Sequence, residues 1–326
     1  MRTVAIDRPG GPDVLHEVTR PDPQPGPGEV LLEVAAAGVN RADILQRQGF
    51  YPPPPGAPDT PGLECAGRVA AVGAGVTGWQ VGDRVAALLD GGGYADRALA
   101  PAAQLLPIPD RMDFVAAAAL PEAVCTAWSN LVMVGGLTAG QTVLIHGGSG
   151  GVGTVAIQLA VARGARVLTT AGGPQRVARC RRLGAETVID HRAEDVVAAV
   201  REATGGNGVD LILDVLGAGG LRANLRCLAI GGRIVVIGLQ QGRKAELDLG
   251  LLLAKRASIH GTTLRARPLA EKAEIVAQVR DHVWPAVEAG SLRPIVDTVV
   301  PLAEAGRAHE LLESGAVFGK VVLSTQ

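Results

Sequence analysis

The sequence predicts an α/β protein in two parts, a β-rich unit followed by a doubly wound parallel sheet. Three observations predict it. The chain has 326 residues, enough for two separate cores. Its texture changes near Pro121, from short β-like runs between glycines and prolines to alternating strand and helix patterns. An apolar run at 142–146 leads into a glycine-rich turn and then a helical pattern at 155–161.

Composition narrows what the molecule does. Hydrophobic residues make up 47% of the chain and aromatics only 2%, so the cores must be built from Ala, Val, Leu and Ile. Lys and Arg number 31 against 32 Asp and Glu, a net charge of −1. That balance argues against nucleic acid or an anionic membrane as partner. No apolar stretch approaches the ~20 residues needed to span a bilayer. The segment 1–7 reads as a strand and lacks a signal-peptide apolar region. The four cysteines, Cys65, Cys125, Cys180 and Cys227, are scattered, with no Cys-x-x-Cys pair. Neither a disulfide framework nor a structural zinc is expected, and a reducing cytoplasm fits.

Taken in order, the β-like runs of the first part fall at 29–34, 67–72 and 83–87 and suggest an all-β, barrel-like unit. Pro52 to Pro55 and Gly56 make a stiff exposed loop beside Tyr51. The second part reads as strands at 142–146, 165–170, 187–190, 209–214, 233–238 and 257–262, with helices at 151–163, 174–183 and 193–204 between them. This alternation gives a six-stranded parallel sheet. A helical stretch at 269–289, a strand at 296–301, a short helix near 303–313 and a last strand at 319–323 follow. These tail strands need partners, so the tail is expected to rejoin the first part. The domain boundaries become 1–120 with 266–326, and 121–265.

The turn reads Gly148-Ser149-Gly150-Gly151-Val152-Gly153. In the order strand, turn, helix, such glycines let the backbone approach a pyrophosphate, and the helix N-terminus offers it unpaired N–H groups. A dinucleotide is therefore expected here. In this pattern an acid about 20 residues further on binds the ribose 2′-hydroxyl of NAD. Here the second strand ends in Thr169-Thr170-Ala171-Gly172-Gly173, with Arg176 following and no acid. Small residues and an arginine accept a 2′-phosphate, so NADPH is favoured.

Three stretches, Pro61-Gly62-Leu63-Glu64-Cys65-Ala66-Gly67, Val81-Gly82-Asp83-Arg84-Val85 and the glycine turn, resemble the medium-chain dehydrogenase/reductase superfamily. The resemblance implies a GroES-like catalytic domain and a Rossmann domain. The zinc alcohol dehydrogenases of that superfamily carry a Cys in a Gly-x-Cys segment and a His-Glu pair after Pro-Gly. This chain has Gly38-Val39-Asn40 and Pro61-Gly62-Leu63-Glu64 instead, so no metal site is expected. Gly38-Val39-Asn40-Arg41-Ala42-Asp43, with Gly49-Phe50-Tyr51, is similar to the zinc-free quinone oxidoreductases, the zeta-crystallin branch. Further matches at 40–49, 91–93, 121–123 and 211–214 point to its tumour-suppressor-induced group. That group often has Ser where this chain has Gly150.

The resemblance implies NADPH-dependent reduction of quinones, by hydride or single-electron transfer. Reduction of activated C=C bonds in enals, enones or enoyl thioesters is the alternative chemistry, and a non-catalytic NADPH-binding module the alternative class. Tyr51 is a candidate hydrogen-bond donor to the acceptor or an amphipathic wall residue. Asn40 is a candidate for orienting nicotinamide or substrate, or an Asx turn. Asp43 is expected to hold the local loop, with Arg41 or Arg47. The resemblance implies that Thr126 faces the nicotinamide, the alternative being packing inside a helix, and that His191 faces the adenosine phosphate or solvent. His146 is expected to be a satisfied strand-end residue. Leu216, Gly238 and Leu239 are counted as cofactor-binding. Phe318 and Lys320 are expected to cover the cofactor from the tail. The last strand of the parallel sheet, 257–262, would be an edge, and pairing across a two-fold axis makes a homodimer.

Overall fold

Glycine and proline punctuate the first hundred residues, and short strands run between them. The structure, a computed structural model, describes residues 1–325. The chain divides into two units, Met1–Cys125 with Leu264–Gln326, and Thr126–Thr263.

In the first unit, the strand Glu29–Gly38 is buried along most of its length, with Glu33 exposed, and pairs antiparallel with Glu64–Val72. Arg84–Leu88 and Leu105–Pro107 extend the sheet on one side, and Arg97–Pro101 pairs with Glu29–Gly38. The C-terminal tail supplies the remaining strands, Val296–Pro301 and Lys320–Ser324. Leu323 lies opposite Ala37, so the tail does rejoin the first unit. Val30, Leu32, Val34, Leu105 and Val321 bury the inner face. This unit is not all β. Helix Arg41–Arg47 interrupts it because Asp43 accepts the Asn40 N–H at 2.8 Å, which closes the first turn, while Ile44 is buried beneath. The expected helical stretch at 269–289 breaks at Val283 into Leu269–His282 and Trp284–Glu288, where Pro285 starts a new first turn.

The second unit is a six-stranded parallel sheet in the order Thr187–Asp190, Arg166–Ala171, Thr142–Ile145, Val209–Asp214, Leu228–Val236, Ser258–Gly261. The order reverses direction beside Thr142–Ile145, and ligands of such sheets bind at that switch point. The fifth strand begins at Leu228, earlier than the expected 233, because Leu228 pairs with Val209 across a register shift. The third helix starts at Val196 rather than 193, since Asp195 caps it by accepting the Ala198 N–H at 2.7 Å.

All four cysteines are buried and free. Among the described residues no helix is long and apolar enough to cross a membrane.

Candidate active site

In the second unit, the turn after Thr142–Ile145 is held to the neighbouring strand by its own backbone. Gly147 N–H donates to the Thr170 hydroxyl at 3.1 Å, and Gly148 N–H to the Thr170 carbonyl at 2.9 Å. A Cβ on Gly148 would overlap the Thr169 hydroxyl, and one on Gly153 the Gly147 carbonyl. Gly150 is different: a Cβ there would meet nothing closer than 3.5 Å. Helix Gly151–Ala162 starts at Gly150 with no side-chain cap. The first N–H groups of the helix at Gly151, Val152 and Gly153 are thus presented over an open glycine, with Ser149 half-buried beside it. This cradle fits a dinucleotide pyrophosphate.

His146 braces the cradle. Its Nε2 lies 2.7 Å from Asn224 Oδ1 and its Nδ1 3.2 Å from the Thr170 hydroxyl. Burial holds its pKa below the usual imidazole value. The neutral ring therefore donates from Nε2 and accepts at Nδ1, as a satisfied strand-end residue.

At the end of Arg166–Ala171, basic groups gather around Gly172. A Cβ on Gly172 would lie 2.7 Å from Arg192 Nε and 3.1 Å from His191 Nε2. Arg176 Nη1 reaches the Gly172 carbonyl at 3.4 Å. One acid is near: Asp190 accepts the Gly173 N–H at 2.9 Å and the Arg192 N–H at 3.1 Å. These bonds hold its carboxyl below the usual range and tie it to the backbone. Sequence reasoning missed Arg192 and Asp190, although both flank His191.

Leu216 and Gly238-Leu239 meet after the fourth and fifth strands. Asp214 accepts the N–H groups of Leu216 and Gly217 at 3.0 Å each. Gln240 N–H returns to Val215 O at 3.1 Å, and Leu239 is exposed. Thr126 is buried, and its carbonyl accepts Asn130 Nδ2 at 2.8 Å. Over Ser129–Val134 the helix widens, with Gly135 N–H bonding Asn130 O, five residues back. Such widened turns recur at functional sites.

In the first unit, Asn40 is part of a buried ionic cluster. Its Nδ2 donates to Glu64 Oε1 at 2.9 Å, and its Oδ1 accepts from Lys320 Nζ at 2.6 Å. Lys320 also pairs directly with Glu64, and Glu64 accepts the Glu122 N–H at 2.9 Å. The Lys320 ammonium, expected over the cofactor, is thus held by Glu64 and Asn40. Phe318 is buried, with its N–H on Asp297 at 3.1 Å.

Asp43 does hold the local loop, but not through Arg41. Its carboxylate accepts Asn40 N–H, Gly62 N–H at 3.1 Å and the Tyr94 hydroxyl at 3.1 Å. Tyr94 Oη lies 3.1 Å from His309 Nε2, His309 Nδ1 3.4 Å from Arg47 Nη1, and Arg47 pairs with Glu313 at 2.9 Å. Burial raises the Asp43 pKa to about 6, and burial with Arg47 lowers that of His309 to about 3.

Tyr51 is half-buried, and burial raises its phenol. The Arg265 guanidinium carbon sits 5.6 Å from its ring centroid.

Two family patterns match the chain: the alcohol dehydrogenase GroES-like domain over residues 26–110 and the zinc-binding dehydrogenase family over residues 151–279. The rat protein named quinone oxidoreductase is 34% identical over 328 residues, covering 99% of this chain and 97% of its own length. Among solved structures, Escherichia coli quinone oxidoreductase complexed with NADPH is 31% identical, with TM-score 0.90 over 99% of this chain and 100% of its own. A mycobacterial structure complexed with NADPH is 34% identical, with TM-score 0.90 over 99% and 100%. An NAD-dependent alcohol dehydrogenase is also 34% identical, with TM-score 0.89 over 100% of each chain.

A β-rich GroES-like unit joined to a six-stranded parallel sheet defines the medium-chain dehydrogenase/reductase superfamily. Within it, this chain belongs to the quinone oxidoreductase, or zeta-crystallin, family. Among the described residues, no three His, Cys, Asp or Glu side chains gather as a metal ion would require.

Proposed function

We propose that the chain is an NADPH-dependent, zinc-independent reductase of quinones. The observation that supports it most is the basic setting of Gly172, made by Arg176, His191 and Arg192. A 2′-phosphate gains charge-assisted bonds there. A ribose 2′-hydroxyl seeks a carboxylate, and the nearby Asp190 is tied to Gly173 and Arg192 N–H groups. NADPH, when bound, supplies the hydride.

In this reading the chain's own residues bind, orient and donate. N–H groups of the turn at Gly148, Ser149, Gly150, Gly151, Val152 and Gly153 hold the pyrophosphate. Gly172, Arg176 and His191 take the adenosine phosphate. Thr126, Leu216, Gly238 and Leu239 shape the nicotinamide end, and Phe318 and Lys320 belong to the cofactor-facing tail. Asn40 keeps one Nδ2 hydrogen for orienting nicotinamide or acceptor. Tyr51 donates its O–H to the acceptor oxygen on which charge develops. Its raised phenol keeps that proton at neutral pH, which also suits protonation of carbon in an activated C=C acceptor. We further place the chain in the tumour-suppressor-induced group, on the matches at 40–49 and 91–93.

The test follows NADPH absorbance with benzoquinones, naphthoquinones, enals and no acceptor, before and after chelation with metal analysis. Quinone-dependent oxidation that survives chelation is expected. Oxidation with enals alone moves the chemistry to C=C reduction. Saturable NADPH binding without turnover overturns the enzyme reading.

A further inference from the structure

Arg265 is a buried cation without a carboxylate of its own. The residue is 4% exposed. Its Nε donates to the Asp90 carbonyl at 2.6 Å, its Nη1 reaches the Tyr51 carbonyl at 3.5 Å, and its Nη2 has no hydrogen-bond partner. The adjacent acid is already taken: the Asp90 carboxylate pairs with Lys272, itself only 3% exposed. A buried charge left unpaired is strongly unfavourable. What the guanidinium does have is a ring. Its carbon lies 5.6 Å from the Tyr51 centroid, within range of a cation–π contact.

We propose that Arg265 is a positioning residue for Tyr51, holding the ring and polarising its hydroxyl into a stronger donor toward the acceptor. This rests on the donor role proposed for Tyr51. The physical reason is charge. As the phenol O–H bonds to an oxygen gaining electrons, the phenolic oxygen becomes more negative, and a fixed cation at the ring stabilises that shift. Lys272 pairs with the Asp90 carboxylate and so partly offsets its charge beside the cation. Two acids oppose the effect at Tyr51. Glu122, on helix Pro121–Trp128, and Asp90 both raise the phenol, as burial does, whereas Arg265 pulls it down. Asp43 and Asp90 are the acids that act on Arg265 itself.

The chain has only two tyrosines, and Tyr94 is fully buried with its phenol raised well above the usual value. Fluorotyrosine labelling of the whole protein therefore gives two fluorine NMR signals, and Tyr51→Phe identifies one of them. The pH titration of that signal is compared in the unmodified protein, Arg265→Lys and Arg265→Gln. Removing the charge should raise the Tyr51 midpoint by about 0.5–1 pH unit. The lysine variant should shift it much less, and should recover part of the quinone kcat lost in the glutamine variant. Lys272→Met frees Asp90 to pair with Arg265, so it should also raise the midpoint, and it serves if Arg265→Gln does not fold. A midpoint that ignores Arg265→Gln and Lys272→Met, or that moves equally in the lysine and glutamine variants, overturns the proposal. The titration needs no turnover. A protein inert toward every quinone overturns the function proposed above instead.

Discussion

Gly148 and Gly150 are the same residue type for opposite reasons. At Gly148 the space is filled by Thr169, and at Gly150 a methyl would fit, its nearest neighbour being the Gly147 carbonyl at 3.5 Å. Gly148→Ala should therefore destabilise the fold by about 1–3 kcal/mol through overpacking, read as a lower urea midpoint. Gly150→Ala should leave that midpoint nearly unchanged and raise the Kd for NADPH, because its methyl occupies space kept for the ligand. Arg176→Ala should raise KM for NADPH by roughly 10-fold or more while leaving NADH little affected, as loss of a bond to a charged group implies. Equal use of both cofactors by the unmodified protein would sink the 2′-phosphate assignment. Tyr51→Phe should cost about 2–4 kcal/mol in transition-state stabilisation if the bond is fully formed, toward the smaller end for quinones. An unchanged kcat with quinones and enones returns Tyr51 to a wall role and makes Asn40 the next residue to vary. At this scale the glycine turn was legible because its constraint is local in the chain. Arg192 was not, because it reaches Gly172 only through the pairing of Asp190 with Ala171 across two strands. Arg265 meets Tyr51 across 214 residues of sequence, which no spacing rule reveals.

Helix Arg41–Arg47 and helix Ala305–Glu313 are joined through Asp43, Tyr94, His309 and Arg47. The two titrating ends of this bridge oppose each other. Asp43 has a folded pKa raised from 3.8 to about 6, so its contribution to stability is complete below the lower value and is lost as pH rises through the upper one. His309 has a folded pKa lowered from 6.5 to about 3, so its contribution is complete above 6.5 and is lost as pH falls through 3. Between about pH 4 and 6 the slopes cancel, one proton against one. Asp43→Asn removes the first, and its stability should then rise with pH across that window by about 1.4 kcal/mol per unit relative to the unmodified protein. Urea midpoints measured from pH 4 to 6 check this; parallel curves for the two proteins would contradict it. Helix Arg41–Arg47 lies within the part expected to be all β, and only the three-residue step from Asn40 to Asp43 marks its first turn in the sequence. Its partner His309 lies 215 residues beyond Tyr94, outside the reach of any local pattern.

Over the whole molecule, the strands and helices of the second unit were legible because strand and helix periods alternate cleanly there. The first unit was harder, since its sheet is completed by residues from the far end of the chain. The parallel sheet ends at Ser258–Gly261, and the preceding helix Leu249–Lys255 buries none of its residues. Leu249 is 61% and Leu253 76% exposed. An apolar helix beside an open edge calls for cover, and a second copy paired across a two-fold axis would supply it. Sedimentation at micromolar concentration should show a dimer, and Leu253→Asp should shift it toward monomer. Monomer alone in the unmodified protein would rule this out.

The buried cysteines acquire a meaning from the proposed acceptors. Quinones are electrophiles that thiolates attack, and an enzyme meeting them at every turnover is exposed to arylation of its own sulfur. Only the thiolate attacks. Burial raises the thiols of Cys65 and Cys227 to about 12 and that of Cys180 to about 11, and lifts that of Cys125 well above its usual value. Burial therefore favours the protonated thiols of the folded chain at neutral pH, and the proposed acceptors would meet reactive thiolates only when it unfolds.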